Sequence, residues 1–410
     1  MDHRLRHLDG LRGLAALLVV IHHTLVTFDF AFFSGLAEHS RLGWDVVASG
    51  LPFTSATLGD LSVCVFFVLS GYVLARSFSR TSLGLPALVA KRYVRLGVPI
   101  LAVVLLSWAL LSTGAMENHA VASLTRSSWL GNQGVKSPDL WSALRDGFYG
   151  ALLLGHSRYD SSLWTMPIEF QGSLVLIFAF SGCRWLFGAG AHRDRWCGAL
   201  LLLFAAVMHG SLLFLFGIGA AACLFDLRRH TEPFCRRPWI AVALIFLGLL
   251  LGTIPFSAAR PEILTRLVAL APIHYALPWR RMDPESFWHA IGAVLLLIAV
   301  DANPKLRAWF TRPPLQFLGE ISFPLYLVHV PLLLSVGCVS YLWLLDAHLP
   351  VPAATLMAVA AGWIVILASA VLLSRTVERL AIGSSAVVGA RIQVWAAQRR
   401  SRLLRVDVTS

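Results

Sequence analysis

Charged residues are scarce in this sequence, where Asp, Glu, Lys and Arg together make up only 14% of 410 residues. A soluble domain of comparable length carries about a quarter. Hydrophobic residues take their place, at 57% of the chain, and the mean hydropathy is +0.71. The shortage of charge excludes an ordinary soluble domain and indicates an integral membrane protein.

Closely spaced cysteines are missing too. No pair has the CxxC or zinc-ligand spacing, so the sequence predicts neither a metal site nor a disulfide framework. The six cysteines are scattered, mostly in or beside apolar segments, at Cys64, Cys183, Cys197, Cys223, Cys235 and Cys338.

Acidic residues are outnumbered, with 22 Asp and Glu against 34 Lys and Arg and a formal net charge of +12. Such an excess can indicate nucleic-acid binding. Here, however, the basic residues form short clusters between apolar runs, as they do in the cytoplasmic loops of membrane proteins. We therefore predict no nucleic-acid partner. The clusters lie at 76–95, 184–195, 228–237, 305–312 and 391–405.

The apolar runs are continuous, which is typical of spanning helices, whereas the strands of a membrane barrel alternate with period two. We predict an all-α, polytopic transmembrane helical bundle with about ten spans. With both termini in the cytoplasm, ten spans place every basic cluster on the cytoplasmic side. The predicted spans are 11–30, 61–79, 96–113, 147–182 with a break, 197–208, 210–226, 239–256, 286–301, 315–345 and 353–374.

Two further stretches are not counted as spans. Residues 262–278 contain an arginine and two prolines, and we predict a re-entrant or surface segment on the outer face. The polar stretch 114–146 is predicted to be an external loop. We therefore predict a transmembrane domain over residues 1–375 and a basic cytoplasmic tail over residues 376–410. The tail is predicted to be a solvated or interfacial helix.

Arg12 and His23 stand eleven positions apart in the first apolar run. At about 100° per residue, eleven steps return to within roughly 20° of the starting direction, and the axial separation is about 16 Å. Arg12 therefore lies at the membrane edge and His23 near mid-bilayer, on one helix face. A histidine at that depth is a candidate general base; the alternative is a histidine that hydrogen-bonds a neighbouring helix.

Asp9 precedes Arg12 by three positions, which is close enough to pair on a helix. A second reading, compatible with this pair, is an N-cap, because Asp is favoured there. His22 points about 100° away from His23. Of the two adjacent histidines, His23 is therefore the better candidate base.

A basic group, Lys91-Arg92-Tyr93-Val94-Arg95, is predicted in the loop after the second span. Arg92 and Arg95, at i and i+3, present two guanidinium groups to one side, an arrangement that suits phosphate on a nucleotide-bearing cofactor. The alternative is plain cytoplasmic charge that sets the topology.

A carboxylate, Glu169, lies in an apolar span five residues after Trp164. Pro167 is expected to break the backbone hydrogen bonds there and to open a polar niche. The carboxylate then orients a histidine, accepts a proton or binds an acceptor hydroxyl. The alternative is a structural partner for an arginine or histidine elsewhere in the bundle.

Near the C-terminus, Tyr326 and His329 lie three apart on one face of a span, and His329 is a second candidate for proton handling. The alternative is again an interhelical hydrogen bond. Ser70, within a dense apolar run, is not favoured as an acyl-carrying nucleophile, because small residues in membrane helices more often permit close packing.

Five of these stretches together resemble the integral-membrane acyltransferase-3 superfamily, whose members modify extracytoplasmic or lipophilic acceptors. They occur in the family's order and span roughly residues 8 to 375. One departure is Phe323, where the family usually has a tyrosine after the serine. The matching stretches are LDGLRGLAALLVVIHH, FFVLSGYVLA, KRYVRLGVP, LWTMPIEF and GEISFPLYLVHVP.

The resemblance implies transfer of an acyl group, commonly acetyl from acetyl-CoA, to a hydroxyl of a cell-envelope glycan, a lipid-linked sugar or a natural product. The acyl-CoA is a co-substrate and not a permanently bound cofactor. The implied location is the bacterial cytoplasmic (inner) membrane.

The resemblance also implies roles for the candidate residues. His23 is the general base, and direct transfer and an acyl-His23 intermediate are both open. Arg12 and Asp9 lie at the cytoplasmic entrance of the active site. Lys91, Arg92 and Arg95 bind the donor phosphates. Glu169 is a further catalytic residue, and the acceptor side is formed by His329, Tyr326 and Trp164.

Two other functions remain open on the sequence. In a proton-coupled transporter or flippase, Glu169, His23 and His329 form a proton relay. An inactive relative that serves as a membrane scaffold is disfavoured by the intact Arg12 and His23 pair.

Overall fold

The computed structural model describes residues 5–41, 43–54, 58–275 and 281–406, and within them the secondary structure is helical, without strands. The longer helices are α1 (Arg6–Phe28), α2 (Leu58–Phe78), α3 (Leu85–Ser112), α4 (Met166–Phe187), α5 (Ala191–Val207), α6 (Phe214–Leu224), α7 (Pro238–Gly252), α8 (Pro284–Ala302), α9 (Pro313–Leu332), α10 (Val351–Leu373) and α11 (Arg379–Val406).

Shorter helical segments connect these helices. They are Ala31–Ser34, Ala37–His39, Trp44–Ser49, Asn118–Thr125, Ser128–Gly131, Leu140–Arg145, Asp146–Leu154, Ser161–Thr165, Leu227–Cys235, Glu262–Ala269, Pro272–Tyr275, Pro304–Phe310, Leu333–Gly337, Cys338–Asp346 and Ser374–Glu378.

Seven helical stretches of the described chain are long and apolar enough to cross a membrane. The chain is thus a multi-pass, all-α membrane protein. The segment Leu227–Cys235 together with α7 makes an eighth candidate, bent by 114°. Of the ten predicted spans, those at α5 and α6 fall on helices of 17 and 11 residues. A helix of 11 residues rises about 16 Å, half of a typical hydrocarbon core. The ten-span count and the cytoplasmic termini therefore stay predictions.

The predicted break within 147–182 is present. A π-helical turn, Asp146–Leu154, ends at Gly155, whose φ of 77° is a left-handed conformation that favours glycine. The chain then re-enters a helix at Ser161. Residues 262–278 contain a helix of eight residues, Glu262–Ala269, which is too short to span, and the end of this stretch lies outside the described residues.

Helix α1 packs directly against α9, and small residues make the close approach possible. A Cβ atom on Gly13 would lie 2.3 Å from the backbone nitrogen of Gly319, so no larger residue fits there without separating the helices. This contact holds the Arg12 and His23 face of α1 against Ser322 and His329 of α9.

The C-terminal helix does not stand apart from the bundle. A π-helical turn, Ser374–Glu378, joins α10 to α11, and α11 packs along α3, where the Gly84 backbone N–H donates to Gln393 Oε1 at 2.8 Å. The helix was predicted. The domain boundary at residue 375 stays a prediction.

The orientation can be measured with reporter fusions. A reporter fused at the C-terminal end of α11 is expected to read cytoplasmic, and one inserted in 114–146 external, because ten crossings return the chain to its starting side. Thiol labelling of single cysteines at the same positions checks the result without a fused domain. An external reading for the tail would make 262–278 a true crossing and would contradict the ten-span arrangement.

Candidate active site

Arg12 lies on the face of α1 that contacts α9. Its guanidinium pairs with Asp9 at 3.1 Å, and its Nε donates to Ser322 Oγ at 3.0 Å. Helix α1 begins at Arg6, so Asp9 lies in the first turn and is not the N-cap. The predicted i, i+3 pairing of Asp9 with Arg12 is present, and the N-cap reading is wrong.

His23 contacts a second histidine. Its Nδ1 lies 3.1 Å from His329 Nε2 and also 3.1 Å from the Val19 carbonyl oxygen. His329 is fully buried, and its Nδ1 lies 2.6 Å from the Tyr326 carbonyl oxygen. Helical spacing predicted neither histidine as the partner of the other, because they are 306 positions apart.

The hydrogen bonds determine which nitrogen of His23 is basic. The Tyr326 carbonyl only accepts, so His329 carries its proton on Nδ1 and, when neutral, presents a lone pair at Nε2. That lone pair and the Val19 carbonyl both accept from His23 Nδ1, which must therefore be the protonated nitrogen. The lone pair of neutral His23 is thus on Nε2, the atom available as a base.

The segment predicted as an external loop covers His23. The Trp129 ring lies 5.2 Å from the His23 ring, between centroids, in the short helix Ser128–Gly131. This segment is tied to the end of α1 by Ser127 Oγ, which donates to the Val26 carbonyl oxygen at 2.6 Å. Sequence reasoning missed Trp129, since a tryptophan in a polar loop has no periodicity that assigns it to a site.

A cavity of about 210 Å³ opens beside Arg12. Six charged side chains line it: Asp9, Arg12, Arg92, Arg95, Glu169 and Glu378. His23 and His329 are not among its lining residues. Tyr326 contacts both the cavity and the histidine pair: it lines the cavity, and its ring lies 5.7 Å from that of His329.

Arg92 is paired with Glu169 inside this cavity, and Ser70 Oγ also donates to Glu169 Oε1, at 2.9 Å. Both members of the ion pair are largely buried, with side chains 15% and 13% exposed. Arg92 and Arg95 lie within α3 and not in a loop, so the predicted loop is wrong there.

Pro167 does not open a niche by breaking a helix, as was predicted. It lies in the first turn of α4, where its missing N–H has no helical partner to lose. Glu169 lies in the same first turn, where the helix dipole favours a carboxylate.

Arg95 is paired with Glu378, whose Oε1 lies 2.7 Å from Arg95 Nη2. Three buried atoms of the two ion pairs have no hydrogen-bond partner among the described residues: Arg92 Nε, Arg95 Nη1 and Glu378 Oε2. No sequence pattern pointed to Glu378, because it stands in the stretch predicted as a tail.

Tyr326 is held in place by two hydrogen bonds of its hydroxyl group. The hydroxyl lies 2.8 Å from Thr165 Oγ1 and donates to the Ser162 carbonyl oxygen at 2.9 Å. Two other predicted site residues are not at the cavity. Lys91 is exposed, and Trp164 is 42% exposed, in the short helix that precedes α4.

The sequence model of the acyltransferase-3 family, described as an acyltransferase domain, matches residues 5–374. The chain belongs to this family. It is therefore an acyltransferase, and the predicted resemblance is confirmed. No solved structure matches the chain.

Three fungal proteins are similar over most of their length. The O-acetyltransferase PaAT-1 of Phomopsis amygdali is 28% identical, covering 82% of this chain and 74% of its own. The acyltransferase R4 of a Phoma species is 24% identical, covering 69% of each chain. The acyltransferase clz18 of Cochliobolus lunatus is 25% identical, covering 83% of this chain and 86% of its own.

Proposed function

We propose that this acyltransferase moves an acetyl group from acetyl-CoA to a hydroxyl group of its acceptor, with His23 as the general base. The observation that carries the proposal is the His23–His329 contact, which leaves the lone pair of neutral His23 on Nε2. The name of one relative, an O-acetyltransferase, supports both the acetyl group and the hydroxyl acceptor.

In the proposed step, the acceptor oxygen attacks the thioester carbonyl carbon and forms the new C–O bond while the C–S bond breaks. The acceptor proton passes to His23 Nε2 and from there to the departing CoA sulfur, so no proton is gained or lost overall. His329 acts as a positioning residue, because it accepts from His23 Nδ1 and stabilises the imidazolium through the transition state.

The donor is assigned to the cavity at Arg12, Arg92 and Arg95. The unpartnered Nε of Arg92 and Nη1 of Arg95 are buried N–H donors, and a phosphate oxygen is the acceptor that guanidinium groups bind most strongly. Tyr326 lines the cavity, and its ring lies 5.7 Å from that of His329, the partner of His23. The proposed path of the thioester arm from the cavity to His23 therefore runs past Tyr326.

The proposed class of acceptor rests on membership of the family. A hydroxyl-bearing cell-envelope glycan, lipid-linked sugar or natural product remains the proposed acceptor. The bacterial inner membrane, expected from the resemblance, stays a prediction, and the three relatives are fungal. Family membership favours an enzyme over the transporter alternative.

Purified protein in detergent or nanodiscs is expected to release free CoA thiol from acetyl-CoA only when a hydroxyl-bearing acceptor is present. The reason is that the acceptor oxygen, and not water, is the nucleophile. A thiol-reactive chromophore measures the rate. Acceptor-independent release at the same rate would indicate a thioesterase, and movement of substrate without thiol release would indicate a transporter.

A further inference from the structure

Glu378 places a carboxylate in the cavity from outside the family-matched region. The match ends at residue 374, whereas Glu378 is the last residue of the π-helical turn Ser374–Glu378. π-helical turns are rare and are found frequently at functional sites. Glu378 is 9% exposed and lines the same cavity as Arg95 and Arg92.

The ion pair between Glu378 and Arg95 is made through one oxygen and one nitrogen only. Glu378 Oε1 lies 2.7 Å from Arg95 Nη2, while Glu378 Oε2 and Arg95 Nη1 are buried without a partner among the described residues. A bidentate pair would use all four atoms. The single contact leaves Arg95 Nη1 as an unsatisfied donor, which a phosphate that displaces Glu378 can satisfy together with Nη2.

The charges lining the cavity balance. Three carboxylates, of Asp9, Glu169 and Glu378, face three guanidinium groups, of Arg12, Arg92 and Arg95. Two of these carboxylates lie on helices of the family-matched region: Asp9 pairs with Arg12, and Glu169 pairs with Arg92 and also accepts from Ser70. Glu378 has Arg95 as its ion-pair partner.

Within the described part of the chain, Glu378 is the ion-pair partner of Arg95. Its guanidinium lies 6.0 Å from the ring centre of Phe323, which offers a π face and no carboxylate. An arriving phosphate therefore competes with Glu378 for the same guanidinium group.

From these contacts we infer that Glu378 is an internal counter-ion that occupies the phosphate site on Arg95, and that it makes the enzyme selective for donors whose phosphate can displace it. The inference rests on the proposed function, since it takes an acyl-CoA as the donor. A thioester without phosphate gains nothing at Arg95 and leaves the Glu378 contact in place.

The test compares Glu378→Gln with the full-length wild-type enzyme. We expect the dissociation constant for CoA to fall about tenfold, because a neutral amide competes less for a charged hydrogen-bond donor. The KM for acetyl-CoA should fall in step, with kcat changed less than about twofold. The KM for S-acetyl-N-acetylcysteamine, a thioester without phosphate, should stay the same.

Two variants accompany it. Glu378→Asp keeps the charge and should retain the wild-type CoA affinity, whereas a purely packing role would be disturbed by the shorter side chain. Glu320→Gln makes the same chemical change at an exposed position of α9 that does not line the cavity, and should change nothing.

Unchanged or weaker CoA binding by Glu378→Gln, with wild type still binding CoA, overturns the inference and leaves the proposed function standing. A wild-type enzyme that binds no CoA in the same titration contradicts the proposed function itself. Equal tightening of the phosphate-free thioester would also overturn the inference, since the selectivity would then not depend on phosphate.

Discussion

Replacing His23 with alanine is expected to lower kcat for acyl transfer by about 10²–10⁴, the typical contribution of a general base. The effect should fall on kcat more than on the KM for acetyl-CoA, because His23 does not line the cavity assigned to the donor. His329→Ala should lower kcat less. It removes the acceptor at His23 Nδ1, while the Val19 carbonyl still accepts from the same nitrogen. Stopped-flow measurement of CoA thiol release gives these rates.

His22→Ala is the matched control. His22 is the adjacent histidine: its ring lies against Gly59 of α2 and edge-on to the His23 ring at 4.9 Å, whereas His329 contacts His23 at Nδ1. The His22→Ala variant should retain most of the activity. Full activity of a correctly folded His23→Ala enzyme would remove His23 from the mechanism, and a loss of equal size in His22→Ala would point to a shared structural role.

Replacing Arg92 with glutamine is expected to destabilise the protein by about 3–5 kcal/mol, because Glu169 would be left as a buried charge without its partner. Glu169→Gln should cost a comparable amount by leaving Arg92 unpaired. The double variant Arg92→Gln with Glu169→Gln places two amides where the ions were and should recover most of the loss. Thermal unfolding in detergent measures the three variants against wild type.

The same variants separate stability from donor binding. The double variant, although folded, should raise the KM for acetyl-CoA about tenfold or more, because one charged phosphate contact is lost. Arg80→Gln removes an exposed arginine that does not line the cavity and serves as the control. A double variant with wild-type KM would reduce Arg92 to a structural partner of Glu169.

The first helix could be read from the sequence because its signal is local. Eleven residues at 100° each place Arg12 and His23 on one face whatever the rest of the chain does. The same holds for Tyr326 with His329 and for Arg92 with Arg95, at i and i+3. Pairs of this kind need only the helix: α1 and α9 contain theirs where spans were predicted, and α3 contains Arg92 and Arg95 where a loop was predicted.

The errors arose where backbone context mattered. Pro167 was read as an interruption, yet it stands in the first turn of α4. Arg92 and Arg95 were placed in a loop because basic residues flank membrane spans, although the helix α3 continues through them. A stretch rich in charged residues can be a loop or the part of a helix that extends beyond the apolar core. Composition alone therefore does not distinguish the two.

Composition alone establishes a multi-pass helical membrane protein, because scarce charge and continuous apolar runs admit little else. Helical spacing also establishes the face shared by Arg12 and His23. The partners of the site residues depend on the packing of distant helices: His329 contacts His23, and Glu378 contacts Arg95. The reason is that these partners lie 306 and 283 positions apart. Helix periodicity relates only residues of the same helix. The packing of α1 on α9 through Gly13 and Gly319 brings the two histidines together.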